Sequence, residues 1–340
     1  MLNERRRSVL SALVDEYITS VQPVGSKVLV QRYGLGCSPA TVRSELAALE
    51  ETGYVFQPHV SAGRIPTDSG YRAYVDDVVG SSPAGLAQVD AVQVRRHYET
   101  VERELGEMLH ETSAVLSRLT SYVAVVVAPT FRRARIRRVT LVPLAPRRAL
   151  VVVVTDTGQV ADRAIEFDAD VTSDQLMAVE TYLSQMLDGA VEAAAHAARE
   201  RIAAMSGREA AIALRALHVV LDCLAEADTD RVMTGGVSAL LTHPEFSDPA
   251  TVRPLLTLLE DGLSMLKVIS DVMRTDDVEV RIGHENPSVE LGRTSFVGAR
   301  YGDDDLGGVI GVIGPTRMDY RRAVSAVRTV SDTLSEVLGS

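Results

Sequence analysis

The chain has 340 residues, a net charge of −11 at pH 7, 46% hydrophobic residues and 24% charged residues. This composition is typical of a folded globular protein and excludes a disordered or fibrous chain, and the length predicts two or three domains. The apolar runs are too short to cross a bilayer, so we expect neither a membrane span nor a signal peptide. Cys37 and Cys223 lack CxxC spacing, which excludes a disulfide framework or a zinc or redox centre and favours a reducing cytoplasm.

The negative charge is not spread evenly along the chain. Residues 1–75 contain eight basic and seven acidic side chains, a balance of +1, so the remainder carries −12. A small N-terminal domain with a locally basic face can therefore meet DNA phosphates although the whole chain is acidic.

Three helices are predicted at the N-terminus, in the order of a helix-turn-helix. Apolar residues recur at three- and four-residue spacing over residues 3–20, Pro23 interrupts this helix, and Ser26 is expected to cap a short second helix. Ser38 is the expected N-cap of a third helix, with Pro39 at its first position. In a helix-turn-helix this last helix enters the major groove.

The outward face of the third helix supplies candidate DNA contacts. Arg43 is the predicted base or phosphate contact, because arginine is the commonest bidentate reader of guanine. The other candidates are small or hydroxyl-bearing side chains that let the helix enter a groove closely, namely Ser38, Ala40, Thr41 and Ser44. The spacing alone also fits an ordinary three-helix unit in which Arg43 is merely solvated.

A two-stranded hairpin, or wing, is predicted directly behind the third helix. Residues 54–56 and 64–66 are typical of short strands around a turn at 58–63, and Thr67 is expected to cap a fourth helix. This order favours a winged helix over the plain three-helix unit.

The wing adds three candidate DNA contacts. His59 lies at its tip and Arg64 at its edge, where they can reach phosphates or a minor groove. Ser61, followed by Ala62 and Gly63, lets the backbone approach DNA closely. His59 is also compatible with a turn residue that has no partner.

Strands, a helical block and further strands are predicted after a linker at 81–85 and a long helix at 86–119. β-Branched runs predict one antiparallel meander of four strands, at 122–128, 136–143, 149–154 and 160–167. A helical block follows at 172–226, with Thr172 or Ser173 as its cap, then strands at 278–282, 295–301 and 309–313 and a last helix at 318–338. This order indicates an α+β domain that contains an insertion.

An enzyme site is not supported by the sequence. Gly308, Gly311 and Gly314 lack the spacing of a phosphate-binding loop, so close strand packing explains them better. His284 and Glu285 have no second histidine or nucleophile motif beside them, which favours a capped loop. We therefore expect no catalytic residues, no metal site and no cofactor.

Several segments resemble the family of the heat-inducible transcription repressor HrcA. The most specific is the wing run from Pro58 to Asp68, PHVSAGRIPTD. Others are GSK at 25–27, SPATVR at 38–43, PEF at 244–246, IGHEN at 282–286 and GVIGPTRMDY at 311–320. Two residues differ from the expected pattern, Ser44 in place of Asn and Val60 in place of Thr, and both bear on operator specificity.

The resemblance implies an α+β multidomain protein with three parts. These are a winged helix-turn-helix DNA-binding domain at 1–78, a GAF-like domain at 79–132 and 228–340, and an inserted dimerising domain at 133–227. The hydrophobic pattern alone does not give the limits of the insertion. The resemblance also adds Lys27 to the expected DNA contacts.

The resemblance further implies a cytoplasmic repressor of heat-shock chaperone genes, of the groE and dnaK type. It would bind an inverted-repeat operator, CIRCE, as a homodimer and be kept active by the GroEL chaperonin. Two alternatives stay open: a ligand-sensing winged-helix regulator with a small-molecule pocket in the GAF-like domain, and an adaptor that uses its wing for protein contacts. DNA binding through phosphates differs from the adaptor by weakening steeply as salt rises.

Overall fold

A computed structural model describes residues 2–80, 105–129, 135–156, 160–187, 198–202, 207–227, 232–269, 277–302 and 307–338. The predicted linker at 81–85 and the first part of the predicted long helix, up to residue 104, lie outside the described residues. No helix in these ranges combines the length and the apolar character that crossing a membrane requires.

The N-terminal domain consists of four helices and a two-stranded hairpin. Its elements are α1 (Glu4–Ser20), α2 (Ser26–Tyr33), α3 (Pro39–Glu51), β1 (Val55–Phe56), β2 (Ile65–Pro66) and α4 (Asp68–Gly80). The order confirms the predicted winged helix-turn-helix. Thr67 caps α4 as predicted, because its Oγ1 accepts a hydrogen bond from the Gly70 N–H at 3.2 Å.

One predicted cap was wrong. Gly25, not Ser26, is the N-cap of α2, and no side chain caps this helix end. Ser26 lies in the first turn and is buried. The serine was assigned from its residue type alone, whereas the glycine backbone adopts the extended conformation of a cap without needing a side chain.

The remaining elements follow in chain order. They are α5 (Leu105–Thr120), β3 (Val123–Val127), β4 (Ile136–Ala145), β5 (Arg148–Thr155), β6 (Val160–Glu166), α6 (Ser173–Met186), α7 (Arg208–Ala227), β7 (Val232–Gly235), α8 (Val237–Leu240), α9 (Pro249–Glu260), α10 (Gly262–Ile269), β8 (Glu279–Ile282), β9 (Thr294–Tyr301), β10 (Gly308–Pro315) and α11 (Tyr320–Leu338).

The prediction of one four-stranded meander was wrong in its first strand. β3 pairs with β10 and β7 in an antiparallel five-stranded sheet of order β7-β3-β10-β9-β8, and only β4, β5 and β6 form a meander. The difference follows from burial, because every residue of β3 is buried, as in a central strand covered on both faces. In β5, buried and partly buried residues alternate after Arg148, as in a sheet covered on one face.

Helices cover both faces of the five-stranded sheet. Ala124 and Val126 of β3 belong to the core beneath α5 and α11, whereas Val123 and Val125 belong to the core beneath α9 and α10. The three glycines of β10 allow close packing, as predicted, since a Cβ at Gly311 would lie 2.6 Å from the Phe296 ring. This three-layer body is the GAF-like part of the fold.

The β4-β5-β6 sheet has its own hydrophobic core. Val139, Val151 and Ile165 line its inner face and pack with Leu176 of α6 and Leu217 of α7. Thr172 caps α6 through a reciprocal capping box with Gln175, as the sequence predicted for this position. A separate core between β3 and β7 in the chain is what an inserted domain requires.

The N-terminal domain and the body share one core. Leu13 of α1 and Tyr71 and Val75 of α4 belong to the same buried cluster as Tyr320 and Val324 of α11. The rings of Tyr71 and Tyr320 lie 5.9 Å apart between centroids. The winged helix is therefore docked on the body rather than held only through the chain.

Candidate nucleic-acid interface

The recognition helix α3 is anchored on one side and open on the other. Val42, Leu46 and Leu49 are buried against the rest of the domain. Ser38 caps the helix as predicted, its Oγ accepting from the Thr41 N–H at 3.1 Å, and Pro39 occupies the first turn. The helix N-terminus, the part that reads bases in a helix-turn-helix, therefore has a defined conformation before DNA binds.

Most of the predicted DNA-contact residues are exposed to solvent. The exposed ones are Lys27, Ser38, Ala40, Arg43, Ser44, His59 and Ser61, while Thr41 is half-buried. Lys27 is on α2 and the others on α3 or the wing. Within the described residues, neither Lys27 nor Arg43 has an ion-pair partner, so both cations are available to an external anion.

The wing is ordered by a glutamine that the sequence did not single out. The Gln57 side-chain amide donates to the Val60 carbonyl at 2.9 Å and to the Ala62 carbonyl at 2.8 Å. The Ala62 N–H in turn donates to the His59 carbonyl at 2.8 Å. These bonds hold the wing tip as a compact turn, with Val60 fully exposed at its end. The signal in the sequence is weak, a lone amide before a proline.

The base of the wing packs on the α1–α2 turn. The Val24 N–H donates to the Arg64 carbonyl and the Arg64 N–H donates to the Val24 carbonyl, both at 2.9 Å. A Cβ at Gly63 would lie 2.4 Å from the Val24 backbone, which only glycine avoids. An isolated antiparallel bridge between Val24 and Arg64 thus joins the two-stranded wing to the α1–α2 turn.

Arg64 differs from the other predicted contacts. Its side chain is only 18% exposed, and its Nη2 lies 2.8 Å from Glu50 Oε2 on the recognition helix. The pair braces the wing against α3. Fourteen residues separate the partners, so helical or strand periodicity gives no signal for their contact. The DNA-contact role of Arg64 stays a prediction.

Ion pairs also hold the helices of the domain together, and the sequence did not point to the two shortest. Arg6 of α1 donates to Glu45 of α3 at 2.9 Å, and Arg32 of α2 donates to Glu16 of α1 at 2.8 Å. The Tyr33 hydroxyl also donates to Glu16, at 3.3 Å. Burial, reinforced by the nearby Glu16 carboxylate, raises the pKa of Tyr33 to about 12, so this hydroxyl stays protonated.

The N-terminal domain has a capped helix N-terminus, a wing and two cations that have no ion-pair partner within the described residues, and it is docked on a GAF-like body. Together these features define a winged-helix transcription regulator. The comparisons with known proteins narrow the class. A family model described as "HrcA protein C terminal domain" matches residues 106–324. The heat-inducible transcription repressor HrcA of Beutenbergia cavernae is 38% identical over 356 residues, covering 100% of both chains. The chain belongs to the HrcA family of heat-inducible transcription repressors.

Other relatives agree over the whole length. The heat-inducible transcription repressor HrcA of Symbiobacterium thermophilum is 37% identical and covers 99% of both chains. A solved structure described as "Crystal structure of a hypothetical protein at 2.2 A resolution" is similar in fold, with a TM-score of 0.66, 24% identity and 99% coverage of each chain. The α+β multidomain fold expected from the sequence is confirmed.

Proposed function

We propose that this repressor binds an inverted-repeat operator of the CIRCE type, upstream of heat-shock chaperone genes, as a homodimer through its two winged helices. The observation that carries the proposal is the open face of α3, where exposed Arg43 lies beside the capped helix N-terminus. Arg43 reads bases, and Lys27, Ser38, Thr41, His59 and Ser61 contact the backbone or groove. The role is regulatory and cytoplasmic, with no catalytic residue, cofactor or metal.

A footprint with the purified full-length protein tests this function. We expect protection of both halves of an inverted repeat upstream of groE- or dnaK-type operons, and affinity that falls steeply between low and moderate salt. Protection of no such repeat, or affinity that is the same for random DNA, would contradict the proposal. Salt-independent binding to a protein partner instead of DNA would favour an adaptor.

The outer face of the β4-β5-β6 sheet supports the dimer. The cross-strand row Val142, Leu150 and Ala164 runs along this face, and Val142 is 40% exposed. Val160, at the end of β6 on the same face, is 58% exposed. Thr140 and Asp162 lie on the same face beside Val152, and no helix of the described residues packs on it. A partly apolar sheet face of this kind is typical of a subunit interface.

The proposed dimer interface can be tested by introducing one charged side chain. Val152→Asp, in the middle of β5 and on this outer face, should shift the protein towards monomer in sedimentation at micromolar concentration. Met177→Asp is the control, because Met177 is 66% exposed on α6, which covers the opposite face. A Val152→Asp dimer as tight as the wild type would place the interface elsewhere.

The GroEL chaperonin is the proposed activator. Family membership supports this step, in which free chaperonin restores the active repressor and heat-damaged clients compete for it. We expect heated protein to regain operator affinity with chaperonin and ATP but not without them. Full recovery without chaperonin would contradict the step.

A ligand-sensing function is the second candidate, and one feature of the body favours it. An open groove of about 520 Å³ lies between α9, α10 and the loop before β9. Arg253, Thr257 and Ser264 line it together with apolar atoms of Leu258 and Val268. Recovery of heated protein only on adding a small molecule, with loss of that response in Arg253→Ala, would support this candidate over the chaperonin.

A further inference from the structure

Two polar contacts from α4 to the loop after β8 help to hold the seam between the winged helix and the body, beside the hydrogen bond that Arg321 Nε donates to the Tyr74 hydroxyl at 3.0 Å. Arg72 binds the Glu285 carboxylate with two N–H groups, Nε at 2.8 Å from Oε1, and also donates to the Val280 carbonyl at 2.6 Å. One helical turn earlier, Asp68 accepts from His284 Nδ1 at 2.8 Å and from the His284 N–H at 3.3 Å. Both partners on the body lie in the short loop after β8.

This loop is shaped for the contact. Gly283 has φ +51°, and a Cβ there would overlap the Asp68 carboxylate. Partial burial acts to raise the pKa of Glu285, but hydrogen bonds from Arg72 and from the Ile282 N–H outweigh it and hold that pKa below its usual value. Glu285 is therefore ionised and oriented from both domains.

The other downstream motifs singled out in the sequence meet the same seam. Arg317 forms an ion pair with Glu245 and reaches the Ile18 carbonyl at the end of α1, 3.4 Å away. The Tyr320 ring packs against Tyr71 in a tilted arrangement and against Tyr74 edge-on, with centroid distances of 5.9 and 6.4 Å. Residues 283–285 and 317–320 thus converge on the winged helix, and Glu245 holds Arg317 in place there.

The polar contacts differ from the tyrosine contacts in what they control. Packed rings and apolar side chains hold two surfaces together but constrain their direction weakly, whereas a bidentate arginine–carboxylate pair fixes direction in a plane. Arg72 is 31% exposed and Glu285 is 37% exposed, so their pair adds little to stability. Its effect is on orientation.

The seam lies apart from the DNA-reading face. None of its described contacts involves α3 or the wing tip, and Arg43 stays exposed while the domain is docked. The winged helix can therefore bind DNA without leaving the body. In a dimer, the docking angle then sets the distance between the two recognition helices.

We propose that the contacts of Arg72 with Glu285 and of Asp68 with His284 are a positioning device, which fixes the winged helix on the body and so determines the half-site spacing that the repressor accepts. The inference rests on the proposed function, because it concerns how the dimer engages two half-sites. Arg72 and Glu285 are positioning residues and do not touch DNA.

The test compares a single half-site, the inverted repeat with its natural spacer, and a repeat whose spacer is longer by about 5 base pairs, half a helical turn. For full-length Arg72→Ala and Glu285→Gln we expect half-site affinity within about twofold of the wild type. Affinity for the natural repeat should fall about tenfold, because a loose orientation loses avidity. Discrimination between the two spacers should shrink. Arg72→Lys, which keeps the charge but not the fork, should recover part of the loss.

The control is Arg328→Ala, which removes an ion pair between α11 and Asp277 at 2.7 Å within the body. It should leave all three affinities and the spacer discrimination unchanged. Seam variants that keep full spacer discrimination would overturn the proposal, and so would seam variants that bind the natural repeat more tightly, because the contacts would then oppose binding.

A measurement without DNA keeps the seam testable if the operator proposal fails. Spin labels are placed at Glu51→Cys in α3 and Leu241→Cys in the body, two exposed sites, in a chain lacking Cys37 and Cys223 and diluted with unlabelled protein. Arg72→Ala should broaden the distance distribution. A distribution as narrow as that of the wild type overturns the positioning role. A wild-type protein that binds the repeat no more tightly than the half-site overturns only the operator proposal.

Discussion

The two sides of the winged helix carry similar charged residues, but these are paired with residues of the body on one side and exposed to solvent on the other. On the DNA side, Lys27 and Arg43 are exposed and have no ion-pair partner within the described residues. On the docking side, Arg72 pairs with Glu285 and Asp68 with His284. Residue type alone therefore does not mark a DNA contact. What distinguishes the predicted contacts Lys27 and Arg43 is that no anion pairs with them within the described residues and that a helix N-terminus lies nearby.

Breaking the docking side should have the largest effect on stability. Tyr320 is fully buried, its ring lies between two tyrosines of α4, and its hydroxyl lies 2.7 Å from Ser295 Oγ. Tyr320→Ala should lower the free energy of unfolding by about 3–5 kcal/mol, as for other buried aromatic residues. Thermal and urea unfolding measure this loss.

The control for this prediction is Tyr320→Phe, which keeps the ring. It should cost clearly less than the alanine variant, because only the hydroxyl contacts are lost. If both variants unfold like the wild type, the continuous core between the winged helix and the body does not exist in solution.

Removing the predicted base reader should affect binding and leave stability alone. Arg43→Ala should weaken operator binding by about 1–3 kcal/mol and relax specificity at the base pair that Arg43 contacts. The unfolding temperature should not change, because Arg43 is exposed. Titrations of the operator, of single-base variants and of random DNA measure the effect. An equal loss on operator and random DNA would contradict base reading.

Lys27→Ala should distinguish a phosphate contact from a base contact. We expect a similar loss of affinity for operator and random DNA. The slope of log affinity against log salt concentration should become shallower by about one unit, which corresponds to one lost phosphate contact. The matched comparison is Arg43→Ala over the same salt range. If Lys27→Ala changes the preference among operator variants, Lys27 reads sequence and its assignment is wrong.

The sequence predicted the elements of the winged helix well because their signals are local. Ser38 before Pro39 defines a helix start, and the turn at 58–63 between two short strands defines a wing. The docking side was missed because its partners are distant, with Arg72 and Glu285 separated by 213 residues. Residues 284–286 were interpreted from the sequence as a capped loop, and the structure has a short 3-10 turn at Gly283–Glu285. Its contacts with α4 depend on the tertiary fold.

The same distinction explains the error in β3. A run of valines predicts a strand, and the strand exists, but the choice of partner strands follows from burial on both faces, which one short run does not show. The insertion between β3 and β7 was predicted from the order of elements and from the family resemblance. Its limits at 133 and 227 remain proposals.

The smallest expected effect concerns Arg64, which is a predicted DNA contact and is also paired with an acidic residue of the recognition helix. Its guanidinium is 2.8 Å from Glu50, so part of its charge is offset before DNA arrives. Glu50→Gln removes that anion and leaves a hydrogen-bonding amide in its place. The affinities for operator and for random DNA should both rise slightly. The slope of log affinity against log salt concentration should become steeper by up to about one unit. Binding titrations from low to moderate salt measure both quantities.

Arg64→Ala provides the reciprocal test. It should weaken binding to operator and random DNA about evenly and flatten the salt dependence by about one charge, if the guanidinium reaches a phosphate as the sequence predicts. In the Arg64→Ala background, Glu50→Gln should then no longer steepen the salt dependence, because there is no Arg64 guanidinium to be freed from Glu50. An unchanged effect of Glu50→Gln in that background would show that the carboxylate acts on DNA by direct repulsion, and that Arg64 is only a brace between the wing and the recognition helix.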